Sequence, residues 1–252
     1  MSTQSMTGAG VQVLPAPLRW SRAIWVAQLA IVICCAFVLK LYYSTATPDE
    51  LRWILAPTTA LVELLSGRTF AFESHTGYMS SDRTFVIALP CAGVNFLITA
   101  FLLLTLRRLW RERFRNSGWR WLPVAAVTAY LATLVANTVR ICLALEMQRR
   151  SVDVSWLTDN QLHRVEGIVV YFGFLLLLYW LVERAESEKR GRLIFPLGIY
   201  YATTLGIPLL NGSYRQGAPF WEHFIYVLLL PFIIFLAVAT LDKICRRCKP
   251  SV

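Results

Sequence analysis

The sequence predicts an all-α fold: a polytopic transmembrane helical bundle with about six spans and one short interfacial or re-entrant helix. The chain has 252 residues, of which 56% are hydrophobic and only 16% are charged, whereas a soluble domain is usually about a quarter charged. The apolar residues form continuous stretches, several of them close to the roughly 20 residues that cross a hydrocarbon core. A transmembrane β-barrel would show short alternating segments instead.

Each span follows from one apolar stretch that lies between polar or basic loops. The spans are predicted at 22–43, 84–106, 121–147, 163–182, 193–210 and 222–241. The stretch LRWILAPTTALVELL (51–65) is shorter and contains Pro57 and Glu63. It is therefore predicted to be the interfacial or re-entrant helix rather than a span.

The distribution of basic residues predicts the orientation. The net charge is +10, and Lys and Arg cluster in the loops 107–120 and 183–192, in the tail 242–252 and near the start of the chain. With six spans these regions all lie on one side, so the positive-inside rule places both termini in the cytoplasm. The chain then divides into a cytoplasmic N-terminal segment (1–21), a transmembrane domain (22–241) and a cytoplasmic basic tail. Nucleic acid is not an expected partner, since no base-stacking module accompanies the charge.

The cysteines indicate neither a disulfide framework nor a metal site. Four of the six lie within apolar spans, and the other two form the sequence CRRC at 245–248. A structural zinc site would need a second pair of ligands, and no extracytoplasmic loop contains a pair of cysteines. The sequence therefore predicts no metal and no cofactor.

Three side chains inside the predicted spans indicate a site, because polar and ionisable groups are costly within a bilayer. They are Cys91 in the second span, Arg140 in the third and His163 at the start of the fourth. The second span runs inward and the third outward, so Cys91 and Arg140 would each lie about 10 Å below the outer end of the span. His163 would lie at the outer boundary. All three side chains are therefore predicted to meet in the outer leaflet.

Two asparagines lie close to these residues in the sequence. Asn95 follows Cys91 by four positions and would share its helix face, and Asn137 precedes Arg140 by three. Taken singly, each residue has an ordinary structural interpretation: asparagines bridge helices, cysteines pack in cores and arginines reach lipid headgroups. Their combination in one leaflet favours a chemical role.

Acidic and small residues complete the predicted site. Glu166 shares a helix face with His163, where its carboxylate could orient the imidazole. Gly93 would allow another backbone or a substrate chain to approach closely. Pro90 suits the first turn of a helix, and the dipole of a helix that begins there would stabilise a Cys91 thiolate.

The motifs that contain these residues resemble those of the exosortase/archaeosortase family. They are Cys91-Ala92-Gly93, the sequence ANTVRI at 136–141 and a histidine, His163, that opens a later helix. The resemblance covers most of residues 22–183, and Ala92 stands where many members have serine. The sequences PCAGVNF and HRVEGIVVYFG are similar to the exosortase K type.

The resemblance implies a multi-pass cysteine protease-transpeptidase of the bacterial inner membrane, a hydrolase whose active site faces the periplasm. Its partners would be membrane lipid and exported proteins with a C-terminal sorting signal. That signal consists of a short motif, often Pro-Glu-Pro, followed by a transmembrane helix and a basic cluster. The enzyme would cleave near the motif at the outer face and transfer the protein to an acceptor, and the transmembrane domain would be the catalytic domain.

The same residues permit a thioester mechanism. Cys91 as a thiolate would attack the substrate carbonyl, His163 would serve as general acid and then as general base, and Arg140 would stabilise the thiolate or the oxyanion. Glu166 would orient the imidazole. The two asparagines would fix Arg140 or bind the substrate backbone.

Two other functions are compatible with the sequence. Polar residues within a membrane often line a transport path, but here the three key groups lie on one side and the midplane lacks acidic relays, which disfavours a transporter. A cysteine-dependent membrane acyltransferase would use the same thioester chemistry with a fatty acyl donor. The mass of the adduct on Cys91, peptide or fatty acyl, distinguishes the protease from the acyltransferase.

Overall fold

The computed structural model describes residues 16–112, 118–150, 158–185 and 193–247. Parts of the predicted N-terminal segment, of the two basic loops and of the basic tail, including Cys248, lie outside the described residues. The description that follows concerns the helices and the small sheet that these four ranges form.

The described chain is an all-α bundle, as predicted. Its helices are α1 (Ala16–Thr45), α2 (Arg52–Ser66), α3 (Val94–Arg111), α4 (Trp121–Arg149), α5 (Asp159–Ala185), α6 (Ile194–Tyr201), α7 (Ile207–Leu210) and α8 (Ala218–Arg247). A π-helical turn, Ala202–Gly206, joins α6 to α7. Helices α1 and α8 therefore extend beyond the predicted transmembrane domain (22–241), into the predicted N-terminal segment and the predicted basic tail.

Five segments of the described chain are long and apolar enough to cross a membrane, which confirms the prediction of a membrane-embedded helical protein. They are Arg22–Thr45, Leu89–Arg111, Trp121–Arg149, Gln161–Ala185 and Phe220–Leu241. The span predicted at 193–210 is a shorter apolar helix, Ile194–Leu210. The outermost spans, in α1 and α8, carry many exposed large apolar side chains, as expected of surfaces that face lipid.

Helix α2 packs along α4 and corresponds to the short helix predicted at 51–65. Its 15 residues extend about 22 Å, less than the hydrocarbon core of a bilayer. The ring of Trp53 stacks on that of Tyr130 with centroids 5.9 Å apart, and the Tyr130 hydroxyl donates a 2.8 Å hydrogen bond to the Trp53 carbonyl. The helix ends at Gly67, whose φ of 69° is left-handed.

A three-stranded antiparallel sheet, which was not predicted from the sequence, lies between α2 and α3. Strands β1 (Phe70–Glu73), β2 (Gly77–Ser80) and β3 (Val86–Ile87) pair in the order β1-β2-β3. Gly77 is required where β2 meets β3, because a Cβ on it would lie 2.5 Å from the Ile87 carbonyl oxygen.

The predicted start of the second span at residue 84 is wrong. Residues 86 and 87 form β3, and helix α3 begins only at Val94. A short apolar run is compatible with a buried strand as well as with a helix. Pro90 and the left-handed Gly93 separate the strand from the helix that follows.

The bundle has two chemically different ends. At one end the side chains of Arg107 and Glu183 form a buried ion pair with Nε and Oε1 2.5 Å apart. At the other end, His163 of α5 contacts Arg140 of α4. Twenty residues of α5 separate His163 from Glu183, which corresponds to about 30 Å along the axis, close to the thickness of a hydrocarbon core. The two polar clusters therefore lie at opposite ends of the bundle.

The hydrogen bonds that the Asp82 carboxylate accepts in the loop between β2 and β3 should be weakened in acid. Asp82 accepts hydrogen bonds from the Ser80 hydroxyl at 2.6 Å and from the Thr84 amide at 3.2 Å, and these bonds lower its pKa from 3.8 to about 2. Because the folded-state pKa is depressed, the contribution of the carboxylate is complete above pH 3.8 and is lost as the pH falls through about 2.

The protection factor of the Thr84 amide in hydrogen exchange measures this change. We expect it to fall across that window in the wild type and to be low and independent of pH in Asp82→Ala, which has no acceptor for the Thr84 amide. A wild-type protection factor that stays constant across the window would contradict the assignment.

Candidate active site

Cys91 lies in a tight turn between strand β3 and helix α3. The turn is a 3₁₀ segment, Leu89–Cys91, in which the Cys91 amide donates to the Ala88 carbonyl at 2.8 Å. The side chain of Cys91 is buried, with 8% of the residue exposed. The prediction that Cys91 lies about 10 Å inside a helical span is therefore wrong: it lies at the end of the span, just before α3 begins.

The turn packs directly on α4, and Gly93 makes this possible. Gly93 has a φ of 70°, and a Cβ on it would lie 3.2 Å from both Asn137 Cγ and Thr133 Cγ2. Asn137 is fully buried, and its amide nitrogen donates a hydrogen bond to the Cys91 carbonyl oxygen. A side chain of α4 therefore holds the backbone of the cysteine.

Tyr171 of α5 connects Asn137 with Arg140. The Tyr171 hydroxyl donates to Asn137 Oδ1 at 2.9 Å and accepts from Arg140 Nη1 at 3.2 Å. Its ring stacks on Phe96 with centroids 5.1 Å apart. Tyr171 was not among the residues predicted from the sequence, although His163, Gly167 and Tyr171 recur every four residues and so share one face of α5.

The guanidinium of Arg140 lies against the backbone of α5 at Gly167. Arg140 is 8% exposed, and a Cβ on Gly167 would lie 3.0 Å from its Nε. Electrostatic interactions connect the guanidinium with Cys91, Tyr171 and Glu166. Among the described residues Arg140 Nε has no hydrogen-bond partner, so one donor of a buried cation is uncommitted.

His163 connects this cation with the thiol. Its Nε2 lies 2.9 Å from Arg140 Nη2, its Nδ1 lies 3.2 Å from Glu166 Oε2, and its side chain interacts electrostatically with that of Cys91. A guanidinium can only donate, so Nε2 accepts from Arg140 and the proton of the neutral ring is assigned to Nδ1, which faces the carboxylate. In this tautomer Nε2 is the basic nitrogen.

Glu166 is a buried carboxylate beside the imidazole. Its side chain is 7% exposed, and within the described ranges neither oxygen has a well-aligned hydrogen bond. The contact with His163 Nδ1 is therefore an ion-pair distance rather than a formed hydrogen bond. Such contacts often tighten only when substrate or charge is present.

Asn95 does not join this network. It is exposed and accepts a 2.7 Å hydrogen bond from Lys40 Nζ of α1. The predicted shared face with Cys91 requires one continuous helix, whereas Cys91 belongs to the turn and Asn95 to α3. A second α1 residue does reach the turn: the Tyr43 hydroxyl donates to the Leu89 carbonyl at 3.3 Å.

The chain has no significant match among protein-family models, curated proteins or solved structures. The described part of the chain also contains no group of three or more His, Cys, Asp and Glu side chains that could hold a metal ion. The chemistry of the site must therefore be inferred from its own residues. These supply a thiol beside an imidazole, which is the combination that activates a cysteine nucleophile, and a buried guanidinium that can stabilise an anion.

Gly93→Ala should destabilise the turn that carries Cys91. The left-handed φ costs an L-residue about 1–2 kcal/mol, and the new methyl group would press on Asn137 and Thr133. Gly173→Ala is the matched control, because a Cβ added there on α5 would meet no atom within 4 Å and alanine favours a helix. Thermal unfolding in detergent, followed by tryptophan fluorescence, should show a lower melting temperature for the first variant only.

Tyr171→Phe should weaken the network without changing its shape. It leaves Asn137 Oδ1 and Arg140 Nη1 without the hydroxyl that joins them, and an unsatisfied buried polar group costs about 1–3 kcal/mol. The exposed Tyr214 provides the control Tyr214→Phe, which should stay within about 0.5 kcal/mol of the wild type. Equal free energies of unfolding for the two variants in the same detergent would show that the Tyr171 hydroxyl carries no stabilising bonds.

Proposed function

We propose that the chain is a membrane-embedded cysteine protease-transpeptidase of the exosortase/archaeosortase kind. It would cleave the C-terminal sorting signals of exported proteins at the outer face of a bacterial inner membrane. The observation that supports this most is that Cys91, Arg140 and His163, from separate helical segments, belong to one cluster of interacting side chains. The resemblance of their motifs to that family names the substrate class.

The charge distribution supports the proposed orientation. The basic loops 107–120 and 183–192 adjoin the end of the bundle that contains the Arg107–Glu183 pair. The positive-inside rule assigns such an end to the cytoplasm. The cluster around Cys91 lies at the opposite end and would face the periplasm, where an exported protein presents the segment that precedes its membrane helix.

The first half-reaction begins with activation of Cys91. The thiol proton moves to His163 Nε2, and the sulfur attacks the carbonyl carbon of the substrate, forming a C–S bond and a tetrahedral oxyanion. As the C–N bond breaks, the leaving amine takes the proton from Nε2. The products are a free amine and a thioester between the substrate and Cys91.

The second half-reaction reverses the proton transfers. Water, or the amine of an acceptor, loses a proton to His163 Nε2 and attacks the thioester carbonyl. The C–S bond then breaks, and the sulfur recovers its proton from the imidazole. Hydrolysis gives a shortened protein, and an amine acceptor gives a transpeptidation product.

Arg140 has a role in both steps. While the imidazole is neutral, Arg140 Nη2 donates to His163 Nε2 at 2.9 Å. Once Nε2 is protonated, two donors face each other, so this hydrogen bond is lost as negative charge develops on the substrate. The guanidinium is then available to the thiolate or the oxyanion, and Glu166 can accept from Nδ1 of the imidazolium.

Asn137 and Tyr171 act as positioning residues in this scheme. Asn137 holds the Cys91 carbonyl oxygen, and Tyr171 holds both Asn137 and Arg140. Small displacements of reacting groups reduce rates strongly. A network that fixes the turn and the guanidinium together therefore maintains their geometry through the reaction.

The proposed function is tested with a fusion protein that ends in a Pro-Glu-Pro motif, a transmembrane helix and a basic cluster. Coexpressed with the wild-type chain, the fusion should be shortened near the motif, whereas Cys91→Ala should leave it intact. Cys142→Ala is the matched control, because Cys142 is a free, half-buried cysteine of α4 outside the network. Arg140→Lys should reduce processing by at least about 100-fold, since an ammonium cannot replace the planar fork.

Intact mass analysis identifies the intermediate. A peptide adduct on Cys91 that hydroxylamine removes supports the thioester of a protease. A fatty acyl adduct on the same sulfur would instead identify an acyltransferase, and continued processing by Cys91→Ala would exclude the cysteine mechanism.

A further inference from the structure

The sheet beside the active site leaves strand β3 as an edge strand. The Ser80 amide donates to the Phe85 carbonyl at 2.9 Å, and the next pairs are Met79 with Val86 and Tyr78 with Ile87. Bonded and non-bonded pairs alternate in an antiparallel ladder. The N–H and C=O of Val86 therefore point away from β2, as does the N–H of Ala88 two residues later.

These three backbone groups have no hydrogen-bond partner among the described residues and are called open here, whereas neighbouring backbone groups at the sheet edges are bonded. Outside the sheet ladder, the parts of the chain that the structure describes supply no bond to the Val86 N–H, the Val86 C=O or the Ala88 N–H. Along the same edge, Gln148 donates to the Thr84 carbonyl at 3.1 Å. At the other edge of the sheet, Glu63 accepts from the Phe70 amide at 2.7 Å.

Three carbonyl groups of the turn that follows already accept hydrogen bonds. The carbonyls of Ala88, Leu89 and Cys91 accept from the Cys91 amide, the Tyr43 hydroxyl and the Asn137 amide. Open donors and an open acceptor therefore remain on β3 immediately before the cysteine. Edge strands with such groups can pair with another extended chain.

We propose that the β3 edge binds the substrate as an extended peptide, which pairs with Val86 and Ala88 and carries its scissile carbonyl to Cys91. This inference depends on the proposed function and specifies how its substrate is recognised. Residues 86–88 extend about 10 Å at 3.3 Å per residue, so this edge can pair with about three residues of an extended substrate.

The recognised chemistry is the main chain of a peptide. Pairing with an edge strand uses substrate N–H and C=O groups at alternate residues, so it tolerates different side chains while requiring an extended backbone. A fatty acyl chain has no such groups and could not use this edge.

Chloromethyl ketones test the pairing on the full chain in detergent. Acetyl-Ala-Ala-Ala chloromethyl ketone alkylates a cysteine by forming a C–S bond and releasing chloride, and mass spectrometry gives the rate at Cys91. The matched probes are three analogues, each methylated at one of the three amide nitrogens. Iodoacetamide measures the reactivity of the thiol toward a reagent that cannot pair.

The expected result is one sensitive position, because among the described residues the Val86 C=O is the one acceptor on strand β3 that is open to a peptide N–H. Methylation of the amide nitrogen that donates to it should slow labelling about tenfold, the effect of losing one such hydrogen bond, and methylation of either of the other two nitrogens should change it little. Equal rates for all four peptides would overturn the pairing and leave the proposed function standing. If Cys91 reacts neither with the peptides nor with iodoacetamide, both the pairing and the proposed function would be overturned.

A variant tests the enzyme's side of the same bonds. Val86→Pro removes the outward N–H and keeps the bonds to β2, since proline is tolerated at an edge position whose N–H is unpaired. It should slow labelling by the unmethylated peptide about tenfold and leave the iodoacetamide rate unchanged. Val86→Ala, which retains the N–H, is the control and should react like the wild type; the same slowing in Val86→Ala would overturn the proposal.

Discussion

The geometry of the site depends on one buried amide, that of Asn137. Its nitrogen donates to the carbonyl of Cys91, and its oxygen accepts from Tyr171. A fully buried amide without partners would be strongly unfavourable, so the folded state requires both bonds. Satisfying this single side chain fixes the distance between the cysteine turn, α4 and α5. Gly93 allows the approach, because a Cβ there would press against Asn137 and Thr133.

Arg140 imposes the second constraint. A guanidinium that is 8% exposed at the end of a membrane-embedded bundle is stable only where hydrogen bonds and nearby charges replace water. Tyr171, His163 and the carboxylate of Glu166 supply these interactions. The same contacts assign the imidazole a tautomer in which Nε2 is the basic nitrogen. The residues that stabilise the buried cation are therefore the same ones that the proposed cysteine mechanism uses.

The small sheet joins this cluster to the surface of the bundle. It follows α2 in the chain, and β3 leads directly into the turn that carries Cys91. The apolar run that begins near residue 84 resembles the start of a span, since composition alone does not separate a strand from a helix. Its strand conformation depends on pairing with Tyr78 and Met79, and on Pro90 and Gly93, which delay the helix. Cys91 therefore lies at the end of a span and not in the helix interior where it was predicted.

The sequence alone determined the class of the protein, because the length of an apolar stretch and the cost of a charge in lipid are local properties. It also identified Cys91, Arg140, His163, Asn137 and Glu166, whose polarity is anomalous where they occur. Only the tertiary structure decided which of them meet. Asn137 bonds to Cys91, 46 positions away in the sequence, and Tyr171 bonds to Asn137, 34 positions away. Asn95 pairs with Lys40 instead. Such contacts arise from how helices pack and from where strand pairing ends, and neither is encoded in the spacing of residues within one segment.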